Sequence, residues 1–194
     1  MGREKTRDIL LEAGKRVFLE KGYNNAGLEA ILQAAGVPKG SFYYYFESKE
    51  EFGLQVLDRF AGCYDAEFER SLGDPCRGPV ERLRRFFEGG MEKLASQSCR
   101  SGCLVGNLSQ EMAGQSEAFR RRLEAVFAGW RVRFAACIEQ AQRAGEVAAH
   151  LDPHVLAEFL LDSWQGAVLR AKTMRSTEPL RAFLTIVFDS LLRP

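Results

Sequence analysis

Residues 28–49 read LEAILQAAGVPKGSFYYYFESK, and this stretch decides the fold. Ile31 and Leu32 end a short apolar helix, and Ala34 and Ala35 are small enough to let a second helix pack close. Gly36 supplies a backbone able to take φ > 0 at a helix end. Val37 is an apolar plug. Pro38, at the first helical position, starts the next helix where its missing N–H does no harm. Lys39, Gly40 and Ser41 form the exposed start of that helix, where N–H groups and a partial positive charge face an anion. Tyr43, Tyr44 and Tyr45 follow in a row. Successive helical residues point about 100° apart, so three tyrosines cannot all enter one core. Their rigid, amphipathic side chains suit an exposed surface with hydroxyls aimed at phosphates. The reading is helix, tight turn, helix.

Working outward, AAGVPKGSFYYYF followed by SKE resembles the DNA-binding segment of the tetracycline-repressor (TetR) family. The resemblance starts in the helix expected over Thr6–Lys21, continues through Gly22 and Tyr23, and ends at Phe52. It implies that Lys39, Gly40, Ser41, Tyr43 and Tyr44 face double-stranded DNA, with Tyr45 and Lys49 near the backbone phosphates. Phe42 and Phe46 are implied to pack inside. Where the family often carries hydroxyl residues this chain has Ala26–Gly27, so the second helix is expected to take its cap from Asn25 or a backbone group. The implied fold class is all-α, with about nine helices by their apolar periodicity. A three-helix helix-turn-helix domain over 1–49 precedes a larger helical ligand-binding and dimerisation domain over 50–194.

Charge narrows the partners. Lys and Arg total 27 against 26 Asp and Glu in 194 residues, which argues against nonspecific coating of nucleic acid. A site-specific reader needs only a local basic patch. Arg3, Lys5 and Arg7 offer one, and read equally as a solvated helix start. No apolar run approaches the ~20 residues that span a bilayer. MGREKTRD has no apolar segment of the signal-peptide kind. These readings predict a cytoplasmic protein with no membrane partner. Five irregularly spaced cysteines read as reduced thiols rather than a secreted disulfide framework.

Beyond residue 50 helix follows helix. Phe52, Val56, Phe60, Tyr64 and Phe68 form an i, i+4 stripe over Glu50–Ser71, ended by the Gly and Pro residues of 73–79. Further helices are expected over about 80–97, over Leu104–Met112, and over about 116–144, with a loop at 96–102. Asp152 and Pro153 open a helix reaching about Lys172, and Thr177 with Pro179 opens the last one, through Leu191. No strand, internal repeat or low-complexity segment is read. Phe159, Leu160, Leu161, Trp164, Ala167 and Val168 spread round much of one helix, which must then be buried on more than one side. A two-fold homodimer through the last two helices accounts for this, agrees with the resemblance, and matches a palindromic operator.

The middle helices are expected to enclose a small-molecule effector. Phe86, Phe87, Met91, Met112, Phe127, Trp130 and Trp164 are the candidates, although an aromatic or Met at helical spacing is more often core. Cys103 opens a helix in SCRSGCLVGNLSQE, near Arg100, and resembles the cysteine of a TetR subgroup that responds to electrophiles and oxidants. By the same resemblance, through GAVLRAK, Lys172 approaches Cys103 and helps ionise it. The other reading is a small buried thiol beside a noncovalent pocket, as in a related subgroup that binds unsaturated acids; both stand. Cys99, Cys103, His150 and His154 can be drawn as a zinc site, but Pro153 separates the histidines and the spacing is not that of a zinc finger. No metal or cofactor is expected. No G-x-S-x-G elbow, phosphate-binding glycine loop or HExxH is present, and two histidines give little acid–base chemistry, so no enzyme is expected. An activator or architectural binder without a ligand is the remaining alternative to an effector-released repressor.

Overall fold

The computed structural model describes residues 3–193, apart from the side chains of Arg3 and Lys39. Among the described residues there are nine α-helices and no strand. They are α1 (Arg3–Lys21), α2 (Leu28–Ala35), α3 (Phe42–Tyr45), α4 (Lys49–Leu72), α5 (Pro79–Ser96), α6 (Leu104–Met112), α7 (Glu117–Arg143), α8 (Pro153–Met174) and α9 (Glu178–Ile186). The all-α expectation holds. Among the described residues no helix is long and apolar enough to cross a membrane.

The chain divides into two compact units, Met1–Cys63 with Cys103–Glu124, and Tyr64–Gly102 with Ala125–Pro194. The first holds α1 to α3, the start of α4, α6 and the start of α7. Its core is a chain of rings: Phe52 meets Phe46 at 4.8 Å, Phe42 at 5.2 Å and Phe18 at 5.9 Å between centroids. Tyr23 extends the chain from Phe18 to Phe119, at 5.2 and 5.1 Å. Fully burying each such side chain is worth about 1.5–3 kcal/mol. Helix α1 approaches α4 at Gly14, where a Cβ would stand only 2.3 Å from Cζ of Phe52.

The turn that carries the reading is built by its glycines. Gly36 ends α2 at φ 65°, and Val37 N–H donates to Leu32 O at 3.1 Å. Gly27 starts α2 with extended backbone and no side-chain cap, so the cap is the backbone alternative and not Asn25. Pro38 is not at the first α-helical position. It precedes a 3₁₀ turn, Lys39–Ser41, closed by Ser41 N–H to Pro38 O at 3.0 Å. Gly40 and Ser41 are weak helix formers, so the α-helix begins only at Phe42. Ser48 then starts α4: its Oγ accepts from Glu51 N–H at 3.0 Å, while the Glu51 carboxylate accepts from Glu47 N–H at 2.6 Å.

The second unit holds the rest of α4 and α7 with α5, α8 and α9. Phe68 stacks on Phe86 at 4.7 Å, and Phe87 meets Trp164 and Phe183, each at 5.0 Å, and Phe134 at 5.2 Å. Gly90 lets this happen in mid-helix, since a Cβ there would reach Trp164 Cζ2 at 2.9 Å. Asp152 caps α8 as expected, accepting from His154 N–H at 2.8 Å. The last helix reaches Leu191, but α9 widens after Ile186 into a π-helical turn, with Leu192 N–H donating to Val187 O at 2.8 Å.

Candidate DNA-reading surface and effector region

Helix α3 splits its aromatics by face. Phe42 and Phe46 are each 1% exposed, whereas Tyr43 is 69% and Tyr44 61% exposed. The exposed rings are held edge-on by neighbours, Tyr43 by Phe42 at 5.4 Å and Tyr44 by half-buried Tyr45 at 5.0 Å. Gly40 is exposed and Ser41 half-buried immediately before them. The structure therefore brings Gly40, Ser41, Tyr43 and Tyr44 onto one short, outward segment. The side chain of Lys39 lies outside the described part of the chain, as does that of Arg3. Arg7 is turned to α4, its guanidinium bonded to the Gln55 side chain and 5.9 Å from the Phe46 ring centre.

Lys49 is placed elsewhere. Its ammonium donates to Tyr23 O at 2.7 Å and lies 4.6 Å from the Tyr23 ring centre. Partial burial lowers its pKa, and the nearby Glu111 carboxylate opposes that shift. A phosphate contact by Lys49 requires it to leave these partners. On the other side of the same peptide, the two Glu111 oxygens accept from Tyr23 N–H at 3.1 Å and Asn24 N–H at 3.0 Å. Sequence reasoning missed Glu111. The only local signal is Gly22, at φ 79°, where a Cβ would come within 2.7 Å of the Glu111 carboxylate.

All five cysteines stand outside disulfides. Cys63 and Cys76 are exposed. Cys137 is buried, donates to Pro79 O at 3.4 Å, and has its pKa pushed up to about 11 by burial, which makes it a poor nucleophile. Cys99 is buried in a connector where Ser98 and Cys99 both take left-handed backbone, at φ 52° and 51°. Cys103 is buried at the N-cap of α6, as the sequence reading places it, and its side chain makes no capping bond. Lys172 is half-buried in the last turn of α8, in the second unit, whereas Cys103 belongs to the first.

Of the aromatic candidates, Phe87 is wholly enclosed and Phe86 and Met112 are buried, which is core placement. Trp130 is buried against Tyr64 at 4.7 Å and Phe127 at 5.7 Å. Met91, Phe127 and Trp164 are half-buried and retain some open surface. Among the described residues no group of three or more His, Cys, Asp or Glu side chains could hold a metal ion. His150 and His154 are exposed.

Comparison with known proteins speaks to the family and the fold. The profile of bacterial regulatory proteins of the tetR family matches residues 10–56, and that of the tetracyclin repressor-like C-terminal domain matches 79–187. The HTH-type transcriptional repressor DhaR of Mycobacterium sp. (strain GP1) is 44% identical over 192 residues, covering 99% of this chain and 95% of its own. A crystal structure of regulatory protein TetR from Rhodobacter sphaeroides superposes with a TM-score of 0.89 at 40% identity, covering 93% of this chain and 95% of the other. The reduced form of the Escherichia coli repressor NemR superposes with a TM-score of 0.86 at 30% identity, covering 98% of this chain and 100% of the other. These relatives are transcriptional regulators and not enzymes.

Proposed function

This chain belongs to the tetracycline-repressor family, and from that premise we propose how it works as a transcriptional repressor. Repressors of this family bind DNA. Here the reading surface is the segment Lys39–Tyr45, with Gly40, Ser41, Tyr43 and Tyr44 toward the duplex and Tyr45 at its edge. The observation that carries this is the exposure of Tyr43 and Tyr44, at 69% and 61%, while Phe42 and Phe46 anchor the same helix inside. Two heads, about 34 Å apart across a homodimer, meet successive major grooves of a palindrome. The dimer forms through α8 and α9. The protein acts in the cytoplasm, where its operator is.

The effector acts from the side of Cys103. Cys103 stands at the N-terminus of α6, toward the positive end of the helix dipole. Similarity to NemR, whose structure was determined in a reduced form, supports a redox-active or electrophile-sensitive thiol. Modification or binding favours the state that does not hold the operator, and repression is relieved by as much as the effector prefers that state. A noncovalent effector with no thiol chemistry is the second reading, favoured by the burial of Cys103.

The test is operator binding, on duplexes selected from random DNA, with and without a small unsaturated aldehyde. Release of wild type but not of Cys103→Ser supports the thiol switch. Equal release of both moves the effector to a noncovalent pocket or another residue. Retention by wild type removes the electrophile reading.

A further inference from the structure

Helix α6 makes a polar grip on the DNA-reading head that neither the recognition segment nor the thiol explains. Its apolar face, Leu104, Val105, Leu108 and Met112, is buried. Its last turn carries Glu111, and each carboxylate oxygen takes one backbone N–H of the turn between α1 and α2, that of Tyr23 at 3.1 Å and that of Asn24 at 3.0 Å. Charge-assisted bonds of this kind are stronger and more directional than neutral ones. The turn is shaped to receive them. Gly22 N–H closes α1 onto Phe18 O at 3.0 Å, and Gly22 takes φ 79°, which aims the next two amides outward. A side chain at Gly22 would occupy the place of the carboxylate, its Cβ 2.7 Å from Glu111 Oε1. The opposite polarity of the same peptide is held from α4, where the Lys49 ammonium donates to Tyr23 O at 2.7 Å. The Tyr23 ring is fixed as well, between Phe18 and Phe119.

The geometry points to Glu111 as a positioning residue that sets the DNA-binding geometry of the head. α2 starts at Leu28, within a few residues of the clamp, and the recognition segment follows it in the chain.

The experiment uses the 194-residue chain on its selected operator. Glu111→Ala removes both acceptors, and Glu111→Gln keeps one neutral acceptor. Operator affinity is expected to fall on the order of 10-fold in Glu111→Ala and by less in Glu111→Gln. Hydrogen exchange of the Tyr23 and Asn24 amides should accelerate in the same order, with the thermal midpoint and dimerisation little changed. Unchanged affinity and unchanged exchange in both variants overturns the clamp. So does an affinity loss that Gln does not partly rescue, since that is general loosening.

Discussion

Gly53 shows how little room the head leaves at a single residue. A Cβ there would lie 2.7 Å from both Phe119 Cζ and Tyr23 Cε2, in the middle of the ring chain. Gly53→Ala is expected to destabilise the chain by about 1–3 kcal/mol, the usual cost of overpacking. Gly89 is the opposite case, exposed in the interior of α5 with nothing within 4 Å of its absent Cβ. Gly89→Ala should therefore stabilise, by about 0.5–1 kcal/mol, through reduced backbone entropy of the unfolded chain. Urea midpoints of the two variants at constant slope check both signs. Titration adds a second residue-scale expectation. Burial raises the Cys137 thiol from 9.0 to about 11, and raises Tyr23 from 10.0 to about 12 with help from Glu50. In both cases the folded state keeps a proton that the unfolded state gives up first. That stability is fully present below pH 9 and is lost as the pH climbs from 9 to 11 for Cys137 and from 10 to 12 for Tyr23. Thermal midpoints across this range should fall, and Cys137→Ala should flatten the lower part of the fall.

Single residues matter here mainly where they fix the end of an element. α4 is held at its C-terminus by Arg82, a buried guanidinium that donates to Leu72 O at 2.5 Å and to Gln140 Oε1 at 2.7 Å. Its Nε has no protein partner, so the residue is already incompletely satisfied. Arg82→Ala strips the last carbonyl of α4 and opens a cavity, and should cost about 3 kcal/mol. Arg82→Met keeps most of the apolar stem and should cost less. Chemical denaturation measures the difference. The same scale explains what was legible in the sequence. α6 and the start of α8 were readable because apolar periodicity and an Asp–Pro start are local signals. The split between buried Phe42 and Phe46 and outward Tyr43 and Tyr44 was legible through the family resemblance, while the run of three tyrosines by itself said only that they could not all enter one core. Glu111 was not readable, because its partners are 88 and 87 residues away and nothing near a carboxylate reports a distant N–H. Nor was the 3₁₀ start after Pro38, where proline sets the entry but Gly40 and Ser41 decide the helix type. The turn of Lys49 onto Tyr23 is likewise tertiary: a lysine at a helix start looks the same in sequence whether it faces a phosphate or a carbonyl.

At the scale of the whole molecule the unresolved demand is burial. α8 packs Leu156, Leu160, Leu161 and Val168 inside its own unit, yet still presents Val155 at 66%, Phe159 at 49% and Leu169 at 46% exposed. α9 does the same, burying Leu180, Phe183 and Leu184 and leaving Ile186 59% exposed. Val155 and Phe159 lie one turn apart, and Gly166 continues their row with open space beyond it. Small and apolar residues in one row let another helix approach closely. A second copy of the chain offers the same row in return, which is the self-complementarity a two-fold interface needs. The energetic consequence reaches the DNA. In the proposed dimer, linking two heads makes the second half-site contact intramolecular, which raises operator affinity by about 10²–10⁴ over a single head. Phe159→Glu and Ile186→Arg place charge in the proposed interface. The proposed dimer predicts that wild type sediments as a dimer at micromolar concentration and each variant as a monomer. Each should also lose operator affinity by at least about 100-fold while the thermal midpoint of the folded chain survives. Dimers that persist in both variants would place the interface on other helices. Monomers that still hold the full operator as tightly as wild type would mean that one head reads it alone.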